Sequence, residues 1–410
     1  MKEGKNNEVI NVMTAFYRTI EVVEQSSEIV GKTWRKVSID GRFVQAYYNE
    51  PLLIEVIQCL LKNKKVKNNY SQKALTSLVA DRLITFFVRD PVNVKKHIDE
   101  LLRELYDNTS EEMRVYMSIH GVSVSERVKI GAFEFIPATD YKKLGLKCAT
   151  EQFEPYVNNL WRDQDYVAVS VVARESVKAQ EKAYAEFQWL ENAARLFVDS
   201  NFYDIGITSF NYSSVENSFV TFNNGMICGI TSRMKGTHVN LPFASVFAPN
   251  NVLYRVVSKL GRKETELTEL QQRMRHAVYL GGLSVHETVP EVAYFLAVSA
   301  LEALFQIDKN KFLSPSIANQ IIEAFCFLVA KENDRRRVFE QMRPIYGKRS
   351  AVAHGGQLTV TNDDVRLIRG YLRAAILKFI DDLVLSNLVS IDDVAAIVCD
   401  KKFGAKGFEV

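Results

Sequence analysis

Residues 289–305 read VPEVAYFLAVSALEALF, an apolar run in which Glu302 is the only charged residue after the first turn. Pro290 stands near the start, where a helix tolerates proline because the first amide needs no partner within the helix. The stretch is shorter than the roughly 20 apolar residues that span a bilayer. It therefore predicts a helix of a globular protein and not a membrane span.

The same helical pattern continues on both sides, so that almost everything from Glu264 to Leu388 is predicted to be helical. The flanking stretches are ELTELQQRMRHAVYLGGLS (266–284), SPSIANQIIEAFCFLVA (314–330), DRRRVFEQMRPIYGKRSAVAH (334–354) and NDDVRLIRGYLRAAILKFIDDLV (362–384). Ser314-Pro315 and Asn362-Asp363-Asp364 are typical helix starts. The pairs Gly281-Gly282 and Gly355-Gly356 are interpreted as helix breaks. Short connections between long helices favour antiparallel neighbours, which predicts a bundle of four or five helices.

The region before this bundle mixes both periodicities. Helical patterns cover 8–25, 51–65, 72–88, 92–107 and 173–199, whereas strand patterns cover 35–48 around a turn at Asp40-Gly41, 114–137, 166–173 and several pieces between 202 and 247. We expect an α+β N-terminal region over residues 1–260, with room for two subdomains, followed by an all-α helical bundle over 264–388. A short C-terminal tail, 389–410, should hold one short helix after Ser390.

Composition and charge exclude several classes of function. A net charge of +3 over 410 residues is too small to attract nucleic acid without specificity, so any contact with nucleic acid must come from local clustering of basic residues. The five cysteines and the dispersed histidines lack metal-ligand spacing, and no P-loop or dinucleotide motif is present, so we expect no metal and no cofactor. Residues 1–12 lack the apolar core of a signal peptide, which favours the cytoplasm and no membrane association.

One segment contains candidate catalytic residues, namely PIYGKRSAVAHGG at residues 344–356. Arg349 and His354 are separated by four residues, with Tyr346 before them and Ser350 between them. RNA cleavage without a metal needs a base for the 2′-hydroxyl proton, an acid for the leaving 5′-oxygen and fixed positive charge on the phosphate. Histidine titrates in the range that the proton transfers require, and arginine matches phosphate oxygens with a planar fork.

The Tyr-x-x-Arg-Ser-x-x-x-His-Gly element at 346–355, together with the Ala-Leu-Glu element ending at Glu302, resembles the HEPN superfamily, and within it the Apea-like HEPN group of bacterial defence proteins. The resemblance covers residues 264–388. It implies a HEPN-like bundle that acts as a metal-independent ribonuclease, with Arg349 and His354 as catalytic residues and Glu302 as the partner that orients Arg349. It also implies a composite site at a dimer interface and products with 2′,3′-cyclic phosphate ends.

Helix geometry independently favours two copies. Five residues correspond to about 500° of rotation on an ideal helix, so the side chains of Arg349 and His354 diverge by roughly 140°. One copy does not comfortably hold one phosphate between them, whereas two copies across a two-fold axis could line a common cleft. We therefore expect a homodimer.

Each candidate residue also has a structural interpretation. Arg349 and His354 could form an ion pair and a buried core histidine, Glu302 could equally be a solvated residue on a helix edge, and a packed Tyr346 with a bonded hydroxyl is commoner than one that contacts RNA. Ser350 could cap or bond locally. Among the basic residues of this region we expect Lys348, Arg343 and Arg337 to bind RNA, although charged runs are usually just solvated faces.

Two functions follow from these observations. The first is an endoribonuclease of anti-phage defence or abortive infection, a toxin whose residues 1–260 sense a phage-derived trigger or bind a regulatory protein. The alternative is a non-catalytic HEPN-like module for RNA binding or dimerisation.

Overall fold

The fold is known from a computed structural model, which describes residues 3–23, 33–107, 110–119, 121–146, 164–198, 212–236, 241–306, 317–353 and 360–404. The helices are α1 (Glu3–Tyr17), α2 (Glu50–Leu61), α3 (Lys64–Asn69), α4 (Gln72–Arg89), α5 (Val94–Asp107), α6 (Ser176–Val198), α7 (Phe243–Phe247), α8 (Val252–Leu260), α9 (Glu269–His286), α10 (Pro290–Phe305), α11 (Ile317–Leu328), α12 (Arg335–Ala353), α13 (Asn362–Asp381) and α14 (Ile391–Phe403). The strands are β1 (Glu21–Val23), β2 (Thr33–Ile39), β3 (Arg42–Tyr48), β4 (Glu111–Ser118), β5 (Val122–Ser123), β6 (Val128–Ile130), β7 (Phe133–Ile136), β8 (Tyr166–Ala173), β9 (Tyr212–Phe222), β10 (Ile227–Gly236) and β11 (Leu241–Pro242).

The strands of the described residues form three sheets. Their orders are β1-β3-β2, β10-β9-β4-β8-β7-β6 and β11-β5. The pairs β2–β3, β6–β7 and β7–β8 are antiparallel, and β11 pairs with β5 in parallel. The predicted fold class is confirmed, because an N-terminal α+β region precedes a C-terminal region of several helices.

The chain divides into two compact units. Unit 1 comprises 1–115, 170–183 and 220–229, and unit 2 comprises 116–169, 184–219 and 230–410. Unit 1 contains an apolar core that joins the first five helices to one face of the β1-β3-β2 sheet. The predicted domains, residues 1–260, 264–388 and 389–410, stay a prediction.

Helix α10, which is the apolar run of residues 290–305, is largely buried within the C-terminal region. Its residues Tyr294, Ala297, Val298, Leu301 and Leu304 are completely buried. The helix packs against α9, α11, α12 and α13. The helix carries apolar side chains on nearly all of its sides. It can therefore pack against four neighbouring helices at once. Among the described residues, no helix combines the length and the apolar character needed to cross a membrane.

The helix starts follow capping signals in the sequence. Thr268, Thr361 and Ser390 each accept from the backbone amide three residues later, and the side chain at that third position bonds back to the cap residue. These reciprocal bonds satisfy amides that a helix start otherwise leaves unpaired. The helix predicted after Ser390 is α14.

Two local predictions were wrong. The helix predicted over 8–25 ends at Tyr17, and Glu21–Val23 form β1, because β-branched residues at 19, 20, 22 and 23 favour an extended backbone. The pair Gly281-Gly282 does not break a helix but lies inside α9. A Cβ on Gly282 would collide with the backbone of Asn192 in α6, so this glycine allows a close approach of two helices.

Asp382, just after α13, holds the end of that helix. Its carboxylate accepts from the amides of Val384 and Leu385, at 2.9 and 3.1 Å, and pairs with Lys378 at 2.6 Å. The Lys378 hydrogen bond, followed by those from the backbone, lowers the pKa of Asp382 from 3.8 to about 2. A carboxylate with a lowered folded-state pKa stabilises the fold above its unfolded pKa, and this contribution disappears as the pH falls toward 2.

We therefore expect Asp382→Asn, which keeps an acceptor for the two amides, to lower the free energy of unfolding by about 1 kcal/mol at pH 7, after allowing for solvent screening. The loss should shrink as the pH falls from 4 to 2. Urea unfolding at several pH values measures this difference. The exposed carboxylate of Asp392 provides the control variant, Asp392→Asn. A loss that stays constant between pH 7 and pH 2 would contradict the explanation.

Candidate functional site

The candidate site lies where α12 packs against α10. Helix α12 contains Pro344, which removes one amide from the helix. At the residue that follows, the hydroxyl of Tyr294 in α10 donates to the backbone carbonyl of Ile345 at 2.9 Å. This bond attaches the turn that precedes Arg349 to the buried helix. Burial, with a smaller effect from the charge of Asp364, raises the pKa of Tyr294, so the tyrosine stays protonated and keeps donating.

Arg349 is held by two side chains of α10. Its Nη2 donates to Oε2 of Glu302 at 3.1 Å, and its guanidinium carbon lies 5.2 Å from the centre of the Phe295 ring. The side chains of Arg349 and Glu302 are 31% and 17% exposed. The pair is therefore at the edge of the protein interior, where a charge interaction is stronger than on an open surface. The structure thus brings together the two residues that were predicted to be partners.

Tyr346 lies beside this pair. Its hydroxyl is buried and has no hydrogen-bond partner among the described residues, and the same is true of Nε of Arg349. Burial raises the pKa of Tyr346 well above its usual value, and the negative charge of Glu302 adds to this effect while Arg349 opposes it. A buried polar group without a partner costs about 1–3 kcal/mol, and both of these groups are hydrogen-bond donors.

Lys348 is tied to the start of α13. Its Nζ lies 2.7 Å from both carboxylate oxygens of Asp364, and Asp364 also accepts from the amide of Thr361 at 2.9 Å. Burial acts to raise the pKa of Asp364, but the hydrogen bonds from Lys348 and Thr361 outweigh it, so the pKa is lowered. The carboxylate therefore remains charged at neutral pH. Lys348 fixes α12 to α13 whether or not it also contacts RNA.

The other predicted residues lie on the outside of α12. Arg337 pairs with Asp334 at 3.0 Å, and both Arg343 and Ser350 are exposed. Arg336 pairs with Glu340 and is 93% exposed. Ion pairs thus reduce the positive charge that Arg337 and Lys348 could offer, whereas no ion pair to a described residue occupies Arg343. The RNA-binding roles of Arg337, Arg343 and Lys348 stay predictions.

His354 lies outside the described residues, which end at Ala353, the last residue of α12, and begin again at Val360. The predicted role of His354 therefore stays a prediction. The same holds for the helix break that was expected at Gly355-Gly356.

Sequence reasoning missed three residues that position this site, namely Tyr294, Phe295 and Asp364. A signal for Phe295 existed, because it precedes Glu302 by seven residues and thus lies on the same side of α10. No comparable pattern relates Tyr294 to Ile345 or Asp364 to Lys348, because both contacts join helices that are distant in sequence.

The arrangement can hold an anion. Arg349 carries five N–H donors, and within the described residues Glu302 is its only hydrogen-bond acceptor. One edge of the guanidinium is thus fixed while donors remain for a phosphate oxygen. Over the described ranges, no three His, Cys, Asp or Glu side chains are grouped so that they could hold a metal ion.

Comparison of the chain with family models, with curated proteins and with solved structures gave no match.

Proposed function

We propose that this chain is a metal-independent endoribonuclease of the HEPN type, active in the cytoplasm in bacterial anti-phage defence or abortive infection. The observation that supports the proposal is the pairing of Arg349 with Glu302 across α12 and α10, beside the buried hydroxyl of Tyr346. This is the contact that the resemblance implies. It leaves an arginine with unused donors at the edge of the protein interior, where a phosphate can be held tightly.

In the proposed reaction the 2′-oxygen of a ribose attacks the adjacent phosphorus, and its proton passes to an imidazole of His354. The bond from phosphorus to the 5′-oxygen breaks, and an imidazolium supplies the proton that this oxygen takes up. The products are a 2′,3′-cyclic phosphate and a 5′-hydroxyl. Arg349 binds the phosphate oxygens, whose negative charge is most concentrated in the transition state, while Glu302 fixes the orientation of the guanidinium.

Two copies of the chain are proposed to supply these groups. A base and an acid are both required, and if the helix continued to His354 with ideal geometry, Arg349 and His354 of one copy would point away from each other. A homodimer with α12 of each subunit at the two-fold axis would provide two imidazoles and two guanidinium groups. The N-terminal region is proposed to sense a phage-derived trigger or a regulatory protein and thereby to control cleavage.

The alternative function is a non-catalytic HEPN-like module for RNA binding or dimerisation. The ion pairs of Arg349, Lys348 and Arg337 favour it to some extent, because each also has a purely structural explanation. Under this alternative, substitution of His354 or Arg349 would leave binding intact, and the purified chain would cut no RNA in the presence of any trigger.

Incubation of the wild-type chain and His354→Ala with total cellular RNA separates the two functions. We expect new RNA ends only with the wild type, carrying 2′,3′-cyclic phosphates, because the variant lacks the group that moves the protons. End mapping by ligation after treatment with a cyclic-phosphate-removing enzyme detects them. The same RNA fragments from both proteins, or no fragments from the wild type in cells where it stops growth, would contradict the proposal.

A further inference from the structure

One stretch of unit 1 carries positive charge that no acid in the same stretch offsets. Residues 56–80 contain five lysines and neither aspartate nor glutamate, so this stretch alone carries +5, whereas the whole chain carries only +3. All five lysines are exposed. They are Lys62, Lys64, Lys65, Lys67 and Lys73, on or next to the short helix α3.

The fold brings little negative charge to these lysines. Lys62 pairs with Glu8 at 2.7 Å, whereas Nζ of Lys65 donates to the backbone carbonyl of Tyr106 and keeps its charge uncompensated. Within the described part of the chain, no carboxylate forms an ion pair with any of the four lysines other than Lys62. These four form the α3 basic surface, namely Lys64, Lys65, Lys67 and Lys73.

Helix α3 is a fixed support for this surface. The side chain of Asn63 accepts from the amides of Lys65 and Val66, at 2.9 and 3.4 Å, and so caps the start of the helix. Val66 is completely buried in the core of unit 1, and its carbonyl accepts from the amide of Tyr70 at 3.0 Å. Because both ends and the middle of α3 are held, its backbone loses little freedom when a partner binds.

The positions of the lysines are unfavourable for the helices that carry them. The first turn of a helix has partial positive charge, which favours acids and disfavours cations. Lys64 and Lys65 lie in the first turn of α3 and Lys73 in that of α4, and neither first turn contains an acid. Lys64 and Lys67 are also three residues apart, so like charges are neighbours on one side of α3. Charges that cost a helix stability are typical of a binding surface, here one for an anionic partner.

The residues around the lysines indicate which anionic partner fits. In the fully described segment 62–73, the exposed side chains are lysines, Asn68 and Gln72, and none is apolar. Basic surfaces that bind membranes commonly add exposed apolar residues that enter the lipid. Lysines together with Asn and Gln are the side chains that contact the phosphates and sugars of nucleic acids. The composition therefore favours a nucleic acid.

We propose that the α3 basic surface is a docking surface for the phosphate backbone of RNA. The choice of RNA rests on the proposed function, since a ribonuclease needs to hold its substrate outside the cleavage site. Release of counterions from the RNA drives this binding and makes it depend on salt. The sequence preference is small, because the lysines contact phosphates and not base edges.

Fluorescence anisotropy with a labelled 12-nucleotide single-stranded RNA of mixed sequence tests this surface. All variants are made in the full-length Arg349→Ala chain, so that the RNA is not consumed. The triple variant Lys64→Gln, Lys67→Gln and Lys73→Gln should raise Kd about tenfold or more at about 0.15 M salt. The slope of log Kd against log salt should fall by about 2, because each phosphate contact to a single strand contributes about 0.7.

Two controls match the triple variant. Arginine at the same three positions keeps the charge, so Kd should stay within about twofold. The second control replaces three other exposed lysines by glutamine. Lys95 and Lys96 each precede an acid by four residues on α5, and Lys129 lies opposite Glu134. Because acids already offset these charges, their loss should change Kd less than about twofold.

Thermal unfolding shows whether the variants fold. The triple variant of the α3 basic surface should unfold at the wild-type temperature or above it, because glutamine removes cations from two helix starts. Weaker RNA binding by a chain of undiminished stability therefore supports the surface. If the triple variant is destabilised, the arginine variant decides, since wild-type Kd and slope there show that charge carries the binding.

Four results would overturn the proposal. They are an unchanged Kd in the triple variant, equal weakening by the two sets of glutamine substitutions, weaker binding by the arginine variant equal to that by the glutamine variant, and tighter binding of the same sequence as DNA. Sedimentation with phosphatidylcholine vesicles that contain about 30% phosphatidylserine adds a fifth. Vesicle binding that the triple variant loses, with RNA binding unchanged, would assign the surface to an anionic membrane.

The outcomes also separate this surface from the nuclease site. Cleavage that depends on His354, with normal RNA binding by the triple variant, would remove the surface and leave the proposed function standing. Conversely, RNA binding that the triple variant loses supports the surface even if the wild-type chain cuts nothing, and the proposed function alone would then fail.

Discussion

Replacing Arg349 by alanine should slow RNA cleavage by about 10²- to 10³-fold, the loss found when a preorganised donor to a developing negative charge is removed. The guanidinium is held by Glu302 and the Phe295 ring, so it needs little reorganisation when the phosphate arrives. Initial rates with a labelled RNA that contains a mapped cut site measure the effect. In cells, the same variant should lose any growth toxicity of the wild type.

Three further variants show whether the loss concerns phosphate binding or folding. Arg349→Gln can still donate to Glu302, so it should fold like the wild type and remain slow. Arg349→Lys keeps the charge without the planar fork and should have an intermediate rate. Arg336→Ala, on the same helix and 93% exposed, should change the rate less than about twofold. Wild-type rates in Arg349→Ala and Arg349→Gln would remove Arg349 from the reaction.

The second large effect concerns stability. Gly282→Ala should lower the free energy of unfolding by about 3 kcal/mol or more, because the added Cβ would lie 2.5 Å from the carbonyl carbon of Asn192 and closer still to two other atoms of that residue. Asn192 belongs to a helix backbone that cannot turn aside as a flexible side chain can. Helices α6 and α9 would have to separate. Urea or thermal unfolding measures the loss.

Gly370→Ala is the matched control within a helix. A Cβ at Gly370 in α13 meets nothing within 4 Å. Alanine there should therefore stabilise the protein by about 0.5–1 kcal/mol, through the better helix propensity of alanine. If both substitutions changed the stability equally, the close approach of α6 and α9 at Gly282 would not be supported.

Much of the secondary structure could be predicted from local pattern. Strand β8 has the predicted bounds, 166–173, and the predicted helices in the C-terminal region correspond to α9–α13. The errors arise where a local signal has two meanings. Glycine pairs weaken isolated helices, but inside α9 Gly282 allows the backbone of α6 to approach closely. Likewise, the periodicity of the residues after Tyr17 is compatible with a helix or with a strand. Pairing of Glu21–Val23 with β3 stabilises the strand.

The candidate site was predictable in part. The positions of Glu302 and Arg349 were identified from motifs on two separate helices, and these helices meet in the structure. The residues that position the site act through contacts between helices, namely those of Tyr294 with Ile345 and of Asp364 with Lys348. Such contacts follow from how α10, α12 and α13 pack, which a single sequence does not specify.

The most direct test of the account compares an RNA that contains a mapped cut site with the same sequence carrying 2′-O-methyl groups throughout. Methylation keeps the bases and phosphates but blocks the oxygen that is proposed to attack. We predict that the wild-type chain cuts the unmodified RNA and leaves the methylated RNA intact. Equal cutting of both RNAs would contradict the proposed chemistry.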